Sequence, residues 1–190
     1  MKIIHIFGPK RGLEYEGIWS VEFDKETGNE FDRLFELWDD PVYMYQFCVR
    51  HLPDLQEAFG FAIDPETAAD ELMEEAESLA RYLIKLATQE IVGANLQYVF
   101  KPLDNMQSNI TELQLSKGSF KTGMDRAPIL RIYAVRIDRN TYVVTGGAIK
   151  LSRRMQDRPN TDLQLHRMWT VRDWLKQEGI YYSEDLTDLS

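Results

Sequence analysis

Near residue 98 the spacing of apolar residues changes from a helical period to a strand period. A chain that holds both periods has to pack helices against a sheet, which excludes a pure bundle or a pure sandwich. On the helical side, "NEFDRLFELWDD" sets Phe31, Leu34, Phe35 and Trp38 at i, i+3, i+4 and i+7, with Asn29 placed to cap the helix. Pro41 after Asp39-Asp40 starts a second helix running towards Leu52. Asp64-Pro65 opens the clearest helix, with Leu72, Ala76, Leu79 and Leu83 inward and Asp70, Glu71, Glu74, Glu75 and Glu77 outward or flanking, a solvated acidic face. On the strand side come "YVFKPL", "TELQLS", "ILRIYAVRI" and "TYVVTGGAIKL", the last two joined at Asp138-Arg139-Asn140. "KIIHIF" and "GIWSVEFD" add strands before the helices, and Thr161 with Gln164 forms a capping box for a closing helix that ends at Gly179. The expectation is an α+β fold: a twisted, mostly antiparallel sheet with helices packed on one side, in one domain over residues 1–190.

Composition narrows the chemistry. A hydrophobic content of 44% supplies a core, and no apolar run approaches the roughly 18 residues of a membrane span, so a cytoplasmic protein with no membrane partner is expected. The single Cys48 lies in an apolar helical stretch and reads as a core residue. His5, His51 and His166 have no metal-ligand spacing, so neither metal nor cofactor is expected, and His166 reads as a solvated side chain of the last helix.

Charge is unevenly divided. Residues 1–112 carry 22 acidic against 9 basic residues, and residues 113–190 carry 9 against 13, within a whole-chain net charge of −9. A local cluster sets the potential that a ligand meets, so an anionic partner stays possible despite the acidic total, and the basic face and the acidic helices should occupy separate surfaces. The basic half centres on "LRIYAVRIDRNTYVVTGGAIKLSRRM", residues 130–155. Strand alternation puts Arg131, Tyr133 and Val135 on one face and Leu130, Ile132 and Ala134 on the other. Arg131 and Tyr133 then project beside Lys150, if the hairpin register allows. Two readings compete: cations that position phosphates with a tyrosine that stacks a base, or cations at Lys117, Lys121, Arg131 and Arg136 that only solvate an exposed sheet. Gly146-Gly147 marks a bulge or a close approach by a ligand, and its spacing to Lys150 is not that of a P-loop.

The order of these pieces resembles the RelE/ParE-like toxins of bacterial toxin–antitoxin modules. "IWSVEFDKETGNEFDRL" is similar to that family's strand running into an E-F-x-x-L helix, and "FKPL", "TELQL", "LRIYAV" and "TGGAIKL" follow in the family's order. The likeness spans about residues 18–54 and 98–178, with an acidic helical insertion over about 55–97. It implies a toxin that cleaves mRNA on the ribosome as a metal-independent endoribonuclease and that pairs with an antitoxin protein. On that reading Arg131, Lys150, Tyr133 and Tyr181 form the catalytic set, with RNA-binding roles for Lys117, Arg136, Arg153 and Arg154. Gln114 stands where the family pattern has an arginine, and Ile149-Lys150 where it has a lysine pair. These departures support the alternative, a non-catalytic member that uses the fold to bind a protein. Tyr181 and Tyr182 equally suit an aromatic tail that packs down.

Overall fold

The computed structural model of the chain describes residues 1–11, 14–24, 26–59, 62–103, 113–121, 126–151 and 159–189. Strand β1 (Lys2–Phe7) is followed by a small ribbon of β2 (Lys10–Arg11) and β3 (Glu14–Tyr15), then by β4 (Gly17–Glu22). Four helices come next: α1 (Glu30–Asp39), α2 (Pro41–Arg50), α3 (Leu52–Phe59) and α4 (Pro65–Ala87). After a 3-10 turn at Leu96–Tyr98 the chain forms β5 (Phe100–Pro102), β6 (Gln114–Gly118), β7 (Leu130–Asp138) and β8 (Thr141–Ile149). Helix α5 (Pro159–Gln177) and a 3-10 segment, Ser183–Leu189, close it.

The caps explain where the helices begin. Asn29 Oδ1 accepts from the Asp32 amide at 3.0 Å, Asp40 Oδ1 from Val42 and Tyr43 at 2.8 and 3.1 Å, and Asp64 Oδ1 from Thr67 at 2.9 Å. Each satisfies amides that the first turn would leave orphaned. Two features depart from the sequence reading. Helix α5 starts at Pro159, two residues before Thr161, because proline is suited to a first helical turn. Residues 52–59 form a helix of their own, α3, behind Pro53.

Six strands form one mixed sheet in the order β1-β4-β8-β7-β6-β5. The pairs β1–β4, β8–β7, β7–β6 and β6–β5 are antiparallel, as expected of a meander, whereas β4 and β8 run parallel. The parallel pair is possible because the helices between these strands supply a long crossover. Alternation then gives the sheet two apolar faces. Ile18, Leu130, Ile132, Ala134 and Val144 meet α1, α2 and α4 in the larger cluster, where Leu72, Leu79, Leu83 and Leu86 of α4 are fully buried. Helix α4 therefore supplies a large part of this core, although it lies in the segment read as an insertion. Trp19, Val21, Val135, Ile137 and Val143 form a smaller cluster with Val171 and Leu175 of α5. Cys48 sits in the larger cluster at 0% exposure, and burial pushes its thiol up to about 11, away from nucleophilic use. Among the described residues no helix is long and apolar enough to cross a membrane.

One acidic residue read as outward or flanking on α4 is not. Glu75 is 1% exposed. Its Oε1 accepts from the Ile129 and Leu130 amides, both at 2.8 Å, and its Oε2 accepts from Arg126 Nη1 at 2.6 Å. Arg126 also meets Glu71 at 3.3 Å and lies over the Phe59 ring, 4.1 Å from its centroid. This carboxylate fixes the start of β7 to α4, and periodicity cannot reveal it because its partners are some 50 residues away in sequence.

Gly146-Gly147 marks a bulge: the β7–β8 register shifts between Tyr133 and Ala134. Gly146 has φ +146°, and a Cβ there would fall 2.2 Å from Gln164 Oε1 of α5. A Cβ on Gly147 would fall 2.5 Å from Leu34 Cδ2 of α1 and 2.8 Å from the Arg131 carbonyl oxygen. The pair thus lets helices approach β8 from both sides, and the close neighbours are the protein's own. Alanine at Gly146 or Gly147 should each destabilise the fold by about 1–3 kcal/mol, read as a lower denaturant midpoint at constant m. An unchanged midpoint for both would mean that the approach is looser than this geometry.

Candidate functional site

The register of the meander decides which cations meet. Lys117 on β6 lies opposite Tyr133 on β7, and Tyr133 opposite Gly146 on β8. On the next level of the same face Arg131 lies opposite Ala148, and alternation places Lys150 on that side too. The pairing continues to the edge, where Lys101 on β5 stands directly opposite Lys117. Four cations and one tyrosine therefore share the face of the sheet on which α5 packs, towards the end where β7 begins. Like charges placed opposite one another on a sheet are unfavourable in isolation.

Local contacts hold these side chains. Lys101 Nζ donates to the Gln97 carbonyl at 2.6 Å, Lys117 Nζ to the Leu103 carbonyl at 3.0 Å, and Arg131 Nη1 to the Leu130 carbonyl at 2.8 Å. Burial, followed by the nearby charges of Arg131 and Lys117, lowers the Lys150 ammonium below its ordinary range. Burial also lowers Arg131, opposed by the charge of Glu75. Tyr133 is 2% exposed, and burial raises its phenol, opposed by Arg131. A raised phenol is a proton donor or a hydrogen-bonding group rather than a base at neutral pH.

Arg131 and Lys150 also border a cleft of about 340 Å³ at the end of the sheet, walled by Glu57 and Ala58 of α3 and by Ile129 and Leu151. Glu57 is the only carboxylate-bearing residue among the described residues that line it. Two groups were thus missed in the sequence. Lys101 becomes visible only once "FKP" is registered against "LSKG", and Glu57 only once α3 is known to be a helix.

The other sequence candidates lie elsewhere. Arg136 faces away from Arg131, since five residues separate them along the strand, and it lies opposite Gln114 and Tyr142. There its charge opposes the rise of the Tyr142 phenol, which burial has pushed up to about 12. Tyr181 packs against the smaller cluster, to which Leu115 and Trp174 also belong, as an aromatic tail would. Its backbone amide and that of Tyr182 both donate to Asp185 Oδ2 at 2.9 Å. His166 is exposed on α5. Lys121 is exposed beyond the end of β6. Arg153 and Arg154 lie outside the described residues. Among the described residues no group of three or more His, Cys, Asp or Glu side chains is arranged to hold a metal ion.

The acidic helices are largely apart from this face. Arg126 meets α4 through Glu71 and Glu75, while Arg33 and Arg167 pair with Glu26 and Glu30. Compared with protein-family models, with curated proteins and with solved structures, the chain matches none.

Proposed function

We propose that the protein binds single-stranded RNA on the Lys101–Lys117–Arg131–Lys150 face and cleaves it in the adjoining cleft, as a RelE-like toxin acting on mRNA with an antitoxin partner. The observation that carries this reading is the convergence of four cations around Tyr133 on one sheet face, beside a cleft that two of them line. A polyanion relieves the repulsion among them. Cleavage needs a 2′-hydroxyl proton removed, the phosphate's growing charge stabilised and the leaving oxygen protonated. Arg131 and Lys150 suit the second task. Glu57, the carboxylate of the cleft, suits the first better than a tyrosine whose phenol is raised. Tyr133 is left with positioning or proton donation.

RNA affinity should fall with salt at a log–log slope of about −0.7 per phosphate neutralised, or about −3 if all four cations take part. Titration of a labelled RNA oligonucleotide between low and moderate salt checks this. A flat response, or no binding at low salt, would remove the basis of the proposal. Induced expression in a bacterial host, with growth and mRNA integrity followed together, tests the activity itself.

A second reading, a protein-binding member without catalysis, is favoured by a different observation. Asp32, Glu36 and Asp39 of α1 and Glu77 of α4 rim a groove of about 370 Å³ floored by Phe35, Ala76 and Ala80. Its walls suit a basic segment of another protein. Growth arrest with intact mRNA would select it.

A further inference from the structure

At the opposite end of the sheet, where β7 turns into β8, lies a second cleft of about 290 Å³ that plays no part in the RNA reading. We infer that it binds a small aliphatic diamine or polyamine, held as an extended organic cation between separated carboxylates and the Thr141 hydroxyl.

The cleft is assembled from parts of the chain that are far apart. Glu16 precedes β4, Gln89 follows α4, Asp138 and Thr141 flank the hairpin turn, and Glu184 belongs to the closing 3-10 segment, and all of them line it. The arrangement is braced. Glu16 Oε2 accepts from Gln89 Nε2 at 2.7 Å and from Asn140 Nδ2 at 3.3 Å, and Asn140 Oδ1 accepts from the Leu96 amide at 3.0 Å. Gln89 takes φ +60° as the left-handed residue that ends α4, where the Glu90 amide donates to the Lys85 carbonyl at 3.0 Å.

Thr141 gives the site its second sign. It is 0% exposed, it lines the cleft, and its Oγ1 has no hydrogen-bond partner among the described residues. A buried hydroxyl without a partner is unfavourable, so the fold keeps an unmet acceptor and donor here. The character of the lining sets the ligand. Among the described lining residues three carry carboxylates against one cation, Arg139, so the cleft stays net acidic, yet among the described residues no such group is arranged to hold a metal ion. Acids that do not converge on a point suit a ligand whose own charges are separated, with N–H donors at each end. A four-carbon diamine meets that description, and a volume of about 290 Å³ admits it.

The test is calorimetric titration of the full chain with putrescine and with spermidine at low salt. The expected result is saturable one-to-one binding, weakened at least tenfold by Thr141→Val and by Glu16→Gln, restored by Thr141→Ser, and unchanged by Glu66→Gln on the exposed first turn of α4. Magnesium chloride at the same concentration should not displace the amine. Equal binding by every variant would mean diffuse attraction to an acidic protein and would overturn the inference. So would an absence of saturable binding, or a Thr141→Val protein that binds normally and is merely more stable, with the hydroxyl then serving only an ordered water. Should Thr141→Val fail to fold, Thr141→Ser against Glu16→Gln carries the same comparison.

Discussion

Replacing Glu75 by alanine should lower the unfolding free energy by about 3–5 kcal/mol, among the largest effects that one substitution in this chain can have. Three donors lose their acceptor at once. The Ile129 and Leu130 amides are buried at the entry to β7, and Arg126, only 11% exposed, is left to the weaker contact with Glu71. Breaking one side of a buried ion pair strands the other charge, which costs more than the pair itself contributes. Glu75→Gln separates the components, since the amide oxygen can still accept from both backbone amides while the charge is gone. It should cost clearly less than Glu75→Ala. If the two variants unfold at the same denaturant concentration, the charge is what matters and the backbone anchor is dispensable. If both unfold with the wild type, Glu75 is a bystander and the junction of α4 with β7 rests on apolar packing alone. The same anchor sets where Arg131 stands, one residue beyond Leu130, so stability and the candidate site are linked through one side chain.

What the sequence revealed, and what it concealed, follows from the range of the forces involved. Caps at Asn29, Asp40 and Asp64 act within three residues, so the starts of α1, α2 and α4 could be read directly. Period-2 runs placed β6, β7 and β8, and alternation correctly set Arg131 and Tyr133 on one face, with Lys150 joining them once the register is known. The parallel pairing of β4 with β8 was not legible, because nothing local records which distant strand is a neighbour. Lys101 was hidden for the same reason: its place depends on pairing across a segment longer than ten residues between β5 and β6. Glu75 looked like one more residue of an acidic surface, and only its distant partners turn it into a core residue. Arg136 shows the reverse error of treating all cations in one run as one patch. Five positions along a strand is an odd number, so it was bound to face away from Arg131.

The second large effect is catalytic. If Arg131 and Lys150 stabilise charge that grows in the transition state, Arg131→Ala and Lys150→Ala should each slow RNA cleavage by about 10² to 10³ while weakening RNA binding far less. The expected split follows from position. Both residues line the cleft as well as the sheet face, whereas Lys101 and Lys117 lie along the face alone. Substituting Lys101 or Lys117 should therefore reduce affinity and shorten the salt slope by about one phosphate, with little change in the rate at saturation. Exposed cations remote from the face, Lys176 on α5 and Arg81 on α4, serve as controls and should leave both quantities unaltered. A translating extract supplied with each purified variant, with mRNA length and protein synthesis measured in parallel, gives the readout. Loss of cleavage at Arg131 and Lys150 with binding retained supports the nuclease. If mRNA stays intact at high concentrations of the wild-type protein while translation or growth still stops, the cations are not catalytic, and the acidic groove between α1 and α4 becomes the surface on which to search for the target.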